Sequence, residues 1–314
     1  MKCLEYPFDS NYILKNKKQI KKELLNGSDF IEKKIAILGG STTNEIKNIL
    51  ELFLLNYGIK VEFYESEYNK FYEDAVFGNE ELDNFNPDII YIHTTNVNIM
   101  NFPDVTDNDE NVDDKLNNEY IKFFQIWDKL KNKFNATIIQ NNFELPFFRI
   151  MGNKSASDIH GRINFINRLN QKFYEYANEN KNFFINDINY ISSCYGIDKW
   201  ANQFFYQMYR YALDYEAIPY LSFNLANIIK SIYGKNKKAL VLDLDNTLWG
   251  GVIGDEGVEN IKIGTEFPID RTFYQFQEYI KKLKDLGILL NINSKNEHDV
   301  ALEGLNSKNN LLKP

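Results

Sequence analysis

The sequence predicts an α/β protein of two domains, residues 1–235 and 236–314. Its 314 residues are about twice the length of an ordinary single domain. Short apolar runs alternate with longer amphipathic stretches, the order in which strands and helices occur in parallel βαβ units. A basic linker, KNKK at 235–238, precedes a new apolar strand, and we place the domain boundary there.

Composition excludes several classes of function. The chain has 36 basic and 44 acidic residues and a net charge of −8, which argues against a nucleic-acid partner. No apolar run approaches the roughly 18 residues of a membrane helix, and the N-terminus has no signal-peptide pattern, so no membrane partner is expected. Two cysteines, Cys3 and Cys194, are too few for a disulfide framework or a zinc site. We therefore expect a cytoplasmic protein.

The elements of the first domain follow from apolar patterning. The acidic, turn-rich segment 104–119 predicts a solvated loop that leads into a helix. After a glycine pair at 39–40, Ser41 and Thr42 precede an apolar periodic stretch, with Glu45 three residues after Thr42; this pattern predicts a helix N-cap. Strands are predicted at 34–38, 60–64, 88–93, 137–140 and 183–187, and later helices near 162–180 and 221–233.

The second domain carries the strongest motif. Its first strand, 239–242, delivers Asp243 and Asp245 to the carboxyl edge of a parallel sheet, where open α/β folds bind ligands. The repulsion between two such carboxylates is relieved by a cation, and oxygen ligands suit Mg²⁺. Asp243 can then attack a phosphoryl group to give an aspartyl-phosphate, and Asp245 can serve as general acid and base. Asn246 and Thr247 would rigidify this phosphate-binding loop.

A second strand supports the same site. The apolar run 287–292 delivers Asn293, Ser294 and Lys295 to the same edge. The Ser294 hydroxyl can donate a hydrogen bond to a phosphoryl oxygen, and Lys295 adds positive charge near it. The predicted phosphate-binding residues are therefore Ser294 and Lys295, together with the loop that follows Asp245.

The strand-end pattern DLDNT at 243–247, with a strand-end serine about 50 residues later, resembles motifs I and II of the haloacid-dehalogenase (HAD) superfamily. The run WGGVIGDEG at 249–257 resembles its HAD-IIIC branch, the FkbH-like proteins. That resemblance implies an SGNH-hydrolase-like first domain with a flavodoxin-like three-layer sheet, followed by a HAD-like Rossmannoid domain. We expect 250–257 to form a mobile hairpin flap beside the phosphate. The family members are phosphatases, or enzymes that load a glyceryl unit onto a carrier protein.

The sequence departs from the family pattern in two respects, and both affect the function that the resemblance implies. The resemblance calls for a later lysine and a later acidic pair, for which residues 1–314 have no counterpart, so we expect an incomplete HAD domain in a truncated or frame-interrupted copy. Glyceryl-transferring relatives tend to have a cysteine before the Ser-Lys-Asn run. Here that residue is Asn293, which cannot carry a thioester and favours hydrolysis.

A weaker motif lies in the first domain. Ser41 follows the first strand, where an SGNH hydrolase has its nucleophile, and His93 and Asn96 are the nearest candidates for its partners. The Asp-x-x-His pair that such enzymes use is missing, because no histidine lies between 161 and 297. A helix-capping Ser41, and a His93 satisfied by backbone, are the simpler interpretations. We expect this domain to bind a ligand or partner rather than to catalyse.

Together these observations predict a Mg²⁺-dependent HAD-type phosphatase. Its substrate would be a small phosphorylated metabolite, such as a glyceryl or sugar phosphate. Two alternatives stay open: a glyceryl transferase that loads an acyl carrier protein, and a catalytically inactive binding fragment.

Overall fold

The computed structural model describes residues 1–27 and 29–313. These residues form two compact units, Met1–Gly234 and one that begins at Lys235. The sequence-based boundary was placed one residue later. None of the helices in the described part of the chain has the length and apolar character that crossing a bilayer demands.

The first unit is built on a five-stranded sheet in which every pair of neighbours is parallel, in the order β2-β1-β3-β4-β5. The α/β class and its parallel sheet are thus confirmed, and the order is that of flavodoxin-like folds, with the topological switch between β1 and β3. The strands are β1 Ile31–Gly39, β2 Ile59–Glu65, β3 Ile89–His93, β4 Thr137–Asn141 and β5 Phe183–Asn186. The helices are α1 Ser10–Leu24, α2 Asn44–Asn56, α3 Phe71–Val76, α4 Glu80–Phe85, α5 Asp109–Lys133, α6 Arg162–Glu179, α7 Ile188–Tyr195, α8 Ile197–Trp200, α9 Gln203–Tyr209 and α10 Ile218–Ile232.

Alternation along β1 creates two cores, one on each face of the sheet. Ile35 and Ile37 pack with α1, α2 and α10, whereas Ala36 and Leu38 pack with α3, α5 and α6. Successive side chains of a strand point to opposite faces, so a strand that is apolar at every position must be covered on both. The result is a three-layer unit whose strand ends open toward loops.

The predicted loop at 104–119 is wrong over most of its length, because α5 begins at Asp109. The side chain of Asn108 accepts a hydrogen bond from the N–H of Asn111 and caps the helix. Acidic residues in the first turn are favourable beside the positive end of the helix dipole. The acidity of this segment therefore marks a helix start rather than a solvated loop.

The second unit contains two parallel strands, β6 Ala239–Leu242 and β7 Leu289–Ile292, with residues 239–242 paired in register with 289–292. Its helices are α11 Ile253–Glu256, α12 Pro268–Asp285 and α13 His298–Asn306. The buried side chain of Gln277 in α12 donates to the carbonyl of Leu248 (2.9 Å) and accepts from the N–H of Leu311 (2.8 Å). These bonds fix the crossover helix against the loops around it.

The segment 250–257 does not form the expected hairpin flap. Gly250 pairs with Lys262 in an isolated antiparallel bridge, and α11 occupies 253–256. Gly251 and Gly257 adopt positive φ angles of 96° and 77°, which glycine tolerates and other residues resist. The glycines thus allow sharp turns on both sides of a short helix.

Candidate functional site

The pairing of β6 with β7 brings the two predicted motifs to one edge of the second unit. Leu242 and Ile292 are partners, and the N–H of Asn293 donates to the carbonyl of Leu242 at 2.8 Å. Asp243 and Ser294 therefore follow the carboxyl ends of adjacent parallel strands. Asp243 is exposed and its Oδ1 accepts the N–H of Leu244 (2.8 Å).

The carboxylate of Asp245 is half-buried and accepts three hydrogen bonds. Its Oδ1 accepts from Nε1 of Trp249 (3.0 Å) and from the N–H of Ile253 (3.2 Å). Its Oδ2 accepts from Nδ2 of Asn296 (2.9 Å). Donors on both oxygens hold the carboxylate plane in one orientation.

Asn296 also connects Asp245 to the second motif. Its Nδ2 lies 3.1 Å from Oγ of Ser294, and its backbone N–H donates to the same hydroxyl oxygen at 3.2 Å. Ser294 is half-buried by these contacts, whereas Lys295 is exposed. The structure thus places Asp245 and Ser294 on either side of one amide group.

Asn246 and Thr247 shape the loop after β6. Asn246 has a left-handed backbone (φ 54°), a conformation that asparagine adopts more readily than most residues. Its Oδ1 accepts the N–H of Gly251 at 3.0 Å, and the N–H of Thr247 donates to the carbonyl of Leu244 at 3.2 Å. These bonds hold the turn closed at the strand end.

Asp243 and Asp245 are the acidic side chains at this edge that could hold Mg²⁺. In the described residues no group of three or more histidine, cysteine, aspartate or glutamate side chains is arranged to hold a metal. Mg²⁺ keeps several waters and is commonly bound by one or two carboxylates together with substrate phosphate. Asp243 and Asp245 provide such a pair, and the exposed Asp243 is the more accessible of the two.

The first unit brings Ser41 and His93 to neighbouring strand ends. Gly39 pairs with His93 in the sheet, and the N–H of Gly40 donates to the His93 carbonyl at 2.8 Å. Both side chains are buried, and within residues 1–27 and 29–313 neither Oγ of Ser41 nor Nε2 of His93 has a hydrogen-bond partner.

Ser41 does not cap α2, so the predicted N-cap is wrong. The cap position is Thr43, whose Oγ1 donates to Glu65 (2.7 Å) instead of capping the helix. Thr42 is drawn away too, because its N–H and Oγ1 donate to the carbonyls of Arg210 and Tyr209 (2.9 and 2.8 Å). The threonines of the predicted capping pattern therefore make tertiary hydrogen bonds instead of capping the helix.

Only Nδ1 of the His93 ring has hydrogen-bond partners among the described residues, and these are side chains rather than backbone. Its Nδ1 lies 3.0 Å from the hydroxyl of Tyr91 and 3.1 Å from Nδ2 of Asn141. Complete burial lowers the pKa of His93 to about 3, because the imidazolium form loses its hydration. The ring is therefore neutral at physiological pH.

Asn96 lies against Glu144. The N–H of Asn96 donates to Oε2 of Glu144 (3.2 Å), and its Nδ2 donates to the Glu144 carbonyl (3.4 Å). The asparagine that contacts the Gly40–Ser41 turn is Asn98, whose Nδ2 donates to the Gly40 carbonyl at 2.8 Å. A Cβ on Gly40 would come within 2.5 Å of that nitrogen, so this position requires glycine.

Several polar residues of these sites were not identified from the sequence, among them Asn296, Trp249 and Glu144. Asn296 and Trp249 lie in the runs that carry the family resemblance, yet nothing in their spacing shows that both donate to Asp245. Glu144 follows a strand, 48 residues from its partner Asn96. An isolated glutamate in a sequence normally indicates an exposed side chain.

The first unit matches a known protein family. The family model "FkbH, N-terminal domain" matches residues 34–230, which is more than half of the chain. The chain belongs to the FkbH N-terminal domain family. None of the curated proteins compared with this FkbH-like chain matched it significantly.

A solved structure extends the similarity through both units of the FkbH-like chain. The N-terminal part of the protein BF1531 from Bacteroides fragilis, described as containing a phosphatase domain and complexed with Mg, is 27% identical with a TM-score of 0.81. The match covers 96% of this chain and 78% of that one.

A GDSL-like lipase from Bacteroides thetaiotaomicron was also matched. It is 14% identical with a TM-score of 0.41, over 70% of this chain and 99% of that one. A score this low supports no conclusion about the site.

Proposed function

We propose that the second unit is a HAD-type phosphatase that hydrolyses a small phosphate ester through Asp243. The observation that carries this proposal is the hydrogen-bonded series Asp245–Asn296–Ser294, which joins the ends of two parallel strands next to an exposed aspartate. It combines an exposed carboxylate for attack, a fixed carboxylate for proton transfer and a hydroxyl for binding. The Mg-complexed phosphatase-domain structure of the Bacteroides fragilis protein supports it.

In the first half-reaction, a carboxylate oxygen of Asp243 forms a bond to phosphorus while the ester P–O bond breaks. Asp245, protonated at that stage, gives its proton to the leaving oxygen. In the second half, water attacks the phosphorus of the aspartyl-phosphate, Asp245 takes the proton from water, and Asp243 is released with inorganic phosphate. The three N–H donors around Asp245 hold its carboxyl group in one orientation for both proton transfers.

Ser294 and Lys295 would bind the phosphoryl oxygens, the serine through its hydroxyl and the lysine through its charge. Asp243 would hold Mg²⁺, and Asp245 would share it only in its ionised form; the bound cation would offset the negative charge gathered at the strand ends. Asn296 has a different task, because its amide is engaged by both Asp245 and Ser294. We assign it as a positioning residue.

The substrate we propose is a small phosphorylated metabolite of the glyceryl or sugar phosphate class. Asn293, where glyceryl-transferring relatives tend to have cysteine, supports hydrolysis over transfer to a carrier protein. An acceptor-thiol assay separates the two: a hydrolase releases phosphate with no carrier present, whereas a transferase requires the acceptor thiol.

The test is phosphate release by the 314-residue chain from a panel of small phosphate esters, with Mg²⁺ and with chelator. We expect Mg²⁺-dependent release that Asp243→Asn abolishes. Asp285→Asn, at an exposed position at the end of α12, is the matched control and should retain activity. Release that persists in Asp243→Asn, or none from the parent chain, would refute the proposal.

A further inference from the structure

The imidazole ring of His160 joins two segments of the first unit that are far apart in the sequence. The ring belongs to the loop 157–161, which leads into α6, and it contacts the turn 104–107, which leads into α5. Its Nδ1 lies 2.8 Å from Oδ1 of Asp158 in the loop, and its Nε2 lies 2.9 Å from the backbone carbonyl oxygen of Asp107 in the turn. Only 19% of the side chain is exposed.

The two acceptors determine the protonation state of the ring in this geometry. A backbone carbonyl can only accept a hydrogen bond, so Nε2 must carry a hydrogen. An ionised carboxylate can also only accept, and Oδ1 of Asp158 already accepts the backbone N–H of His160 at 3.0 Å, so Nδ1 must carry the second hydrogen. Both ring nitrogens are donors only in the imidazolium form. These bonds to the Asp107 carbonyl and the Asp158 carboxylate raise the pKa of His160.

The charged groups around the ring favour the same form. The carboxylates of Asp158 and Asp107 both attract the imidazolium. Lys115 of α5 donates to the Asp107 carboxylate, and Lys154 interacts with the Asp158 carboxylate. Each of these ammonium groups therefore faces a carboxylate, while the ring interacts with both carboxylates. A proton on His160 is stabilised from the turn and from its own loop.

Loss of that proton would break the contact between the ring and the turn 104–107. A neutral imidazole has one N–H donor and one lone pair. It would keep the hydrogen bond to Asp158, because a bond to an ionised acceptor is stronger than a bond to a carbonyl. The lone pair of Nε2 would then face the carbonyl oxygen of Asp107, and two acceptors at this distance repel each other.

The turn that His160 holds forms part of the wall of a cavity. The cavity has a volume of about 460 Å³, and Phe102, Asp104 and Arg162 line it. The guanidinium of Arg162 lies over the ring of Phe102, 4.7 Å from its centroid, which is a second contact between the two stretches of chain. This contact does not depend on the protonation of His160, so the change on deprotonation should be confined to the turn itself.

We propose that His160 is a pH-sensitive clasp on this wall of the cavity. The imidazolium holds the turn 104–107 against the loop 157–161 through two hydrogen bonds, and the neutral ring releases the turn. The clasp lies wholly within the first unit, so it does not rest on the phosphatase activity proposed for the second.

The test is hydrogen exchange of the Asp104 and Asp107 amides in the full-length chain, measured for the parent and for His160→Leu between pH 5.5 and pH 9. The ratio of the two rates at each pH cancels the intrinsic pH dependence of exchange. We expect the parent to exchange about fivefold more slowly than the variant at the acid end, where the hydrogen bond to the turn is intact, and at the same rate at the alkaline end. The chain has three histidines, so NMR of the imidazole nitrogens, assigned with the variant, gives the pH at which His160 titrates. The ratio should change at that pH.

Two further variants separate charge from packing. Asp158→Asn keeps an acceptor oxygen but removes the charge, so the change in the ratio should move to lower pH, toward the ordinary histidine value of about 6.5. His298→Leu, on the exposed start of α13, is the matched control and should exchange as the parent does at every pH. A ratio that does not vary with pH would overturn the proposal. So would a His160 ring in the parent chain that titrates below pH 6.5, a result that requires no variant to fold.

Discussion

Nδ2 of Asn296 donates a hydrogen bond of 2.9 Å to Oδ2 of Asp245, across 51 residues of sequence. The two residues follow different strands of the same parallel pair. Because Nδ2 of Asn296 also lies 3.1 Å from the Ser294 hydroxyl, a single amide sets the spacing between the proposed proton-transfer group and the proposed phosphate-binding group. This is the contact on which the geometry of the second unit depends most directly.

Asn296→Ala is expected to lower kcat for phosphate-ester hydrolysis by at least about tenfold, because Asp245 and Ser294 lose the group that orients them. Steady-state kinetics with Mg²⁺ measure the effect. Asn260→Ala is the matched control, since the side chain of the exposed Asn260 donates to the Glu256 carbonyl on the surface. An unchanged kcat in the Asn296 variant would contradict its positioning role.

Glu144→Gln is expected to stabilise the first unit at high pH and to have little effect near pH 4.5. The folded-state pKa of Glu144 is raised from 4.5 to about 8 by burial, so the stability that its protonated form contributes is complete below pH 4.5 and is lost as the pH rises toward 8. The glutamine stays neutral throughout. Above pH 8 the gain in unfolding free energy should reach up to about 5 kcal/mol.

Urea unfolding at pH 4.5, 7 and 9 measures this difference. Glu175→Gln, at an exposed position of α6, should show no such pH dependence. A Glu144→Gln variant that tracks the parent at every pH would show that the buried acid is not protonated in the folded chain.

His93 is expected to change the pH dependence of stability in the direction opposite to Glu144. Its folded-state pKa is lowered by burial from 6.5 to about 3, so its contribution to stability is present above pH 6.5 and is lost as the pH falls toward 3. The parent chain should lose about 1.4 kcal/mol of unfolding free energy per pH unit from this group alone. Urea unfolding between pH 7 and pH 4 should show a shallower acid slope for His93→Gln than for the parent.

His298→Gln, on the exposed start of α13, should keep the parent slope. Comparing slopes rather than absolute stabilities removes the packing cost of the substitution itself. Equal slopes in parent and His93→Gln would contradict the neutral, buried imidazole.

Gly304→Ala is expected to destabilise the second unit by about 1–3 kcal/mol, although alanine is the better helix former. A Cβ there would lie 2.6 Å from Cδ1 of Ile253 and 2.9 Å from Cη2 of Trp249. Gly254→Ala in α11 is the control, because its nearest neighbour is 3.9 Å away. Thermal unfolding of the two variants should differ in this direction; equal midpoints would mean that the contact relaxes freely.

The strands could be predicted from the sequence because burial on both faces requires a continuous run of hydrophobic residues. Residues 35–38 and 89–92 are aliphatic or aromatic at every position, as a parallel strand covered by helices requires. The strand-end aspartates followed from the same logic, since a strand fixes which residues come directly after it. The residues at the carboxyl edge of the sheet can therefore be predicted once the strands are located.

Side-chain partners could not be predicted because tertiary contacts override local patterns. The residues around Ser41 have the composition of a helix cap, yet Thr42 and Thr43 donate to Tyr209 and Glu65 instead. A solvated loop was predicted at Asp109 and Glu110 because acidic residues are common both in exposed turns and in the first turn of a helix. Glu144 has no local signal at all, since its burial depends on segments far away in the sequence.

The three donors to Asp245 come from separate stretches of chain: the loop after β6, the start of α11 and the loop after β7. One carboxylate therefore acts as a common anchor, and these stretches should open together as a single cooperative unit in native-state hydrogen exchange. The amide of Ile253 and the indole N–H of Trp249 should then share one opening free energy. Asp245→Ala, which removes both acceptor oxygens, should release both at once.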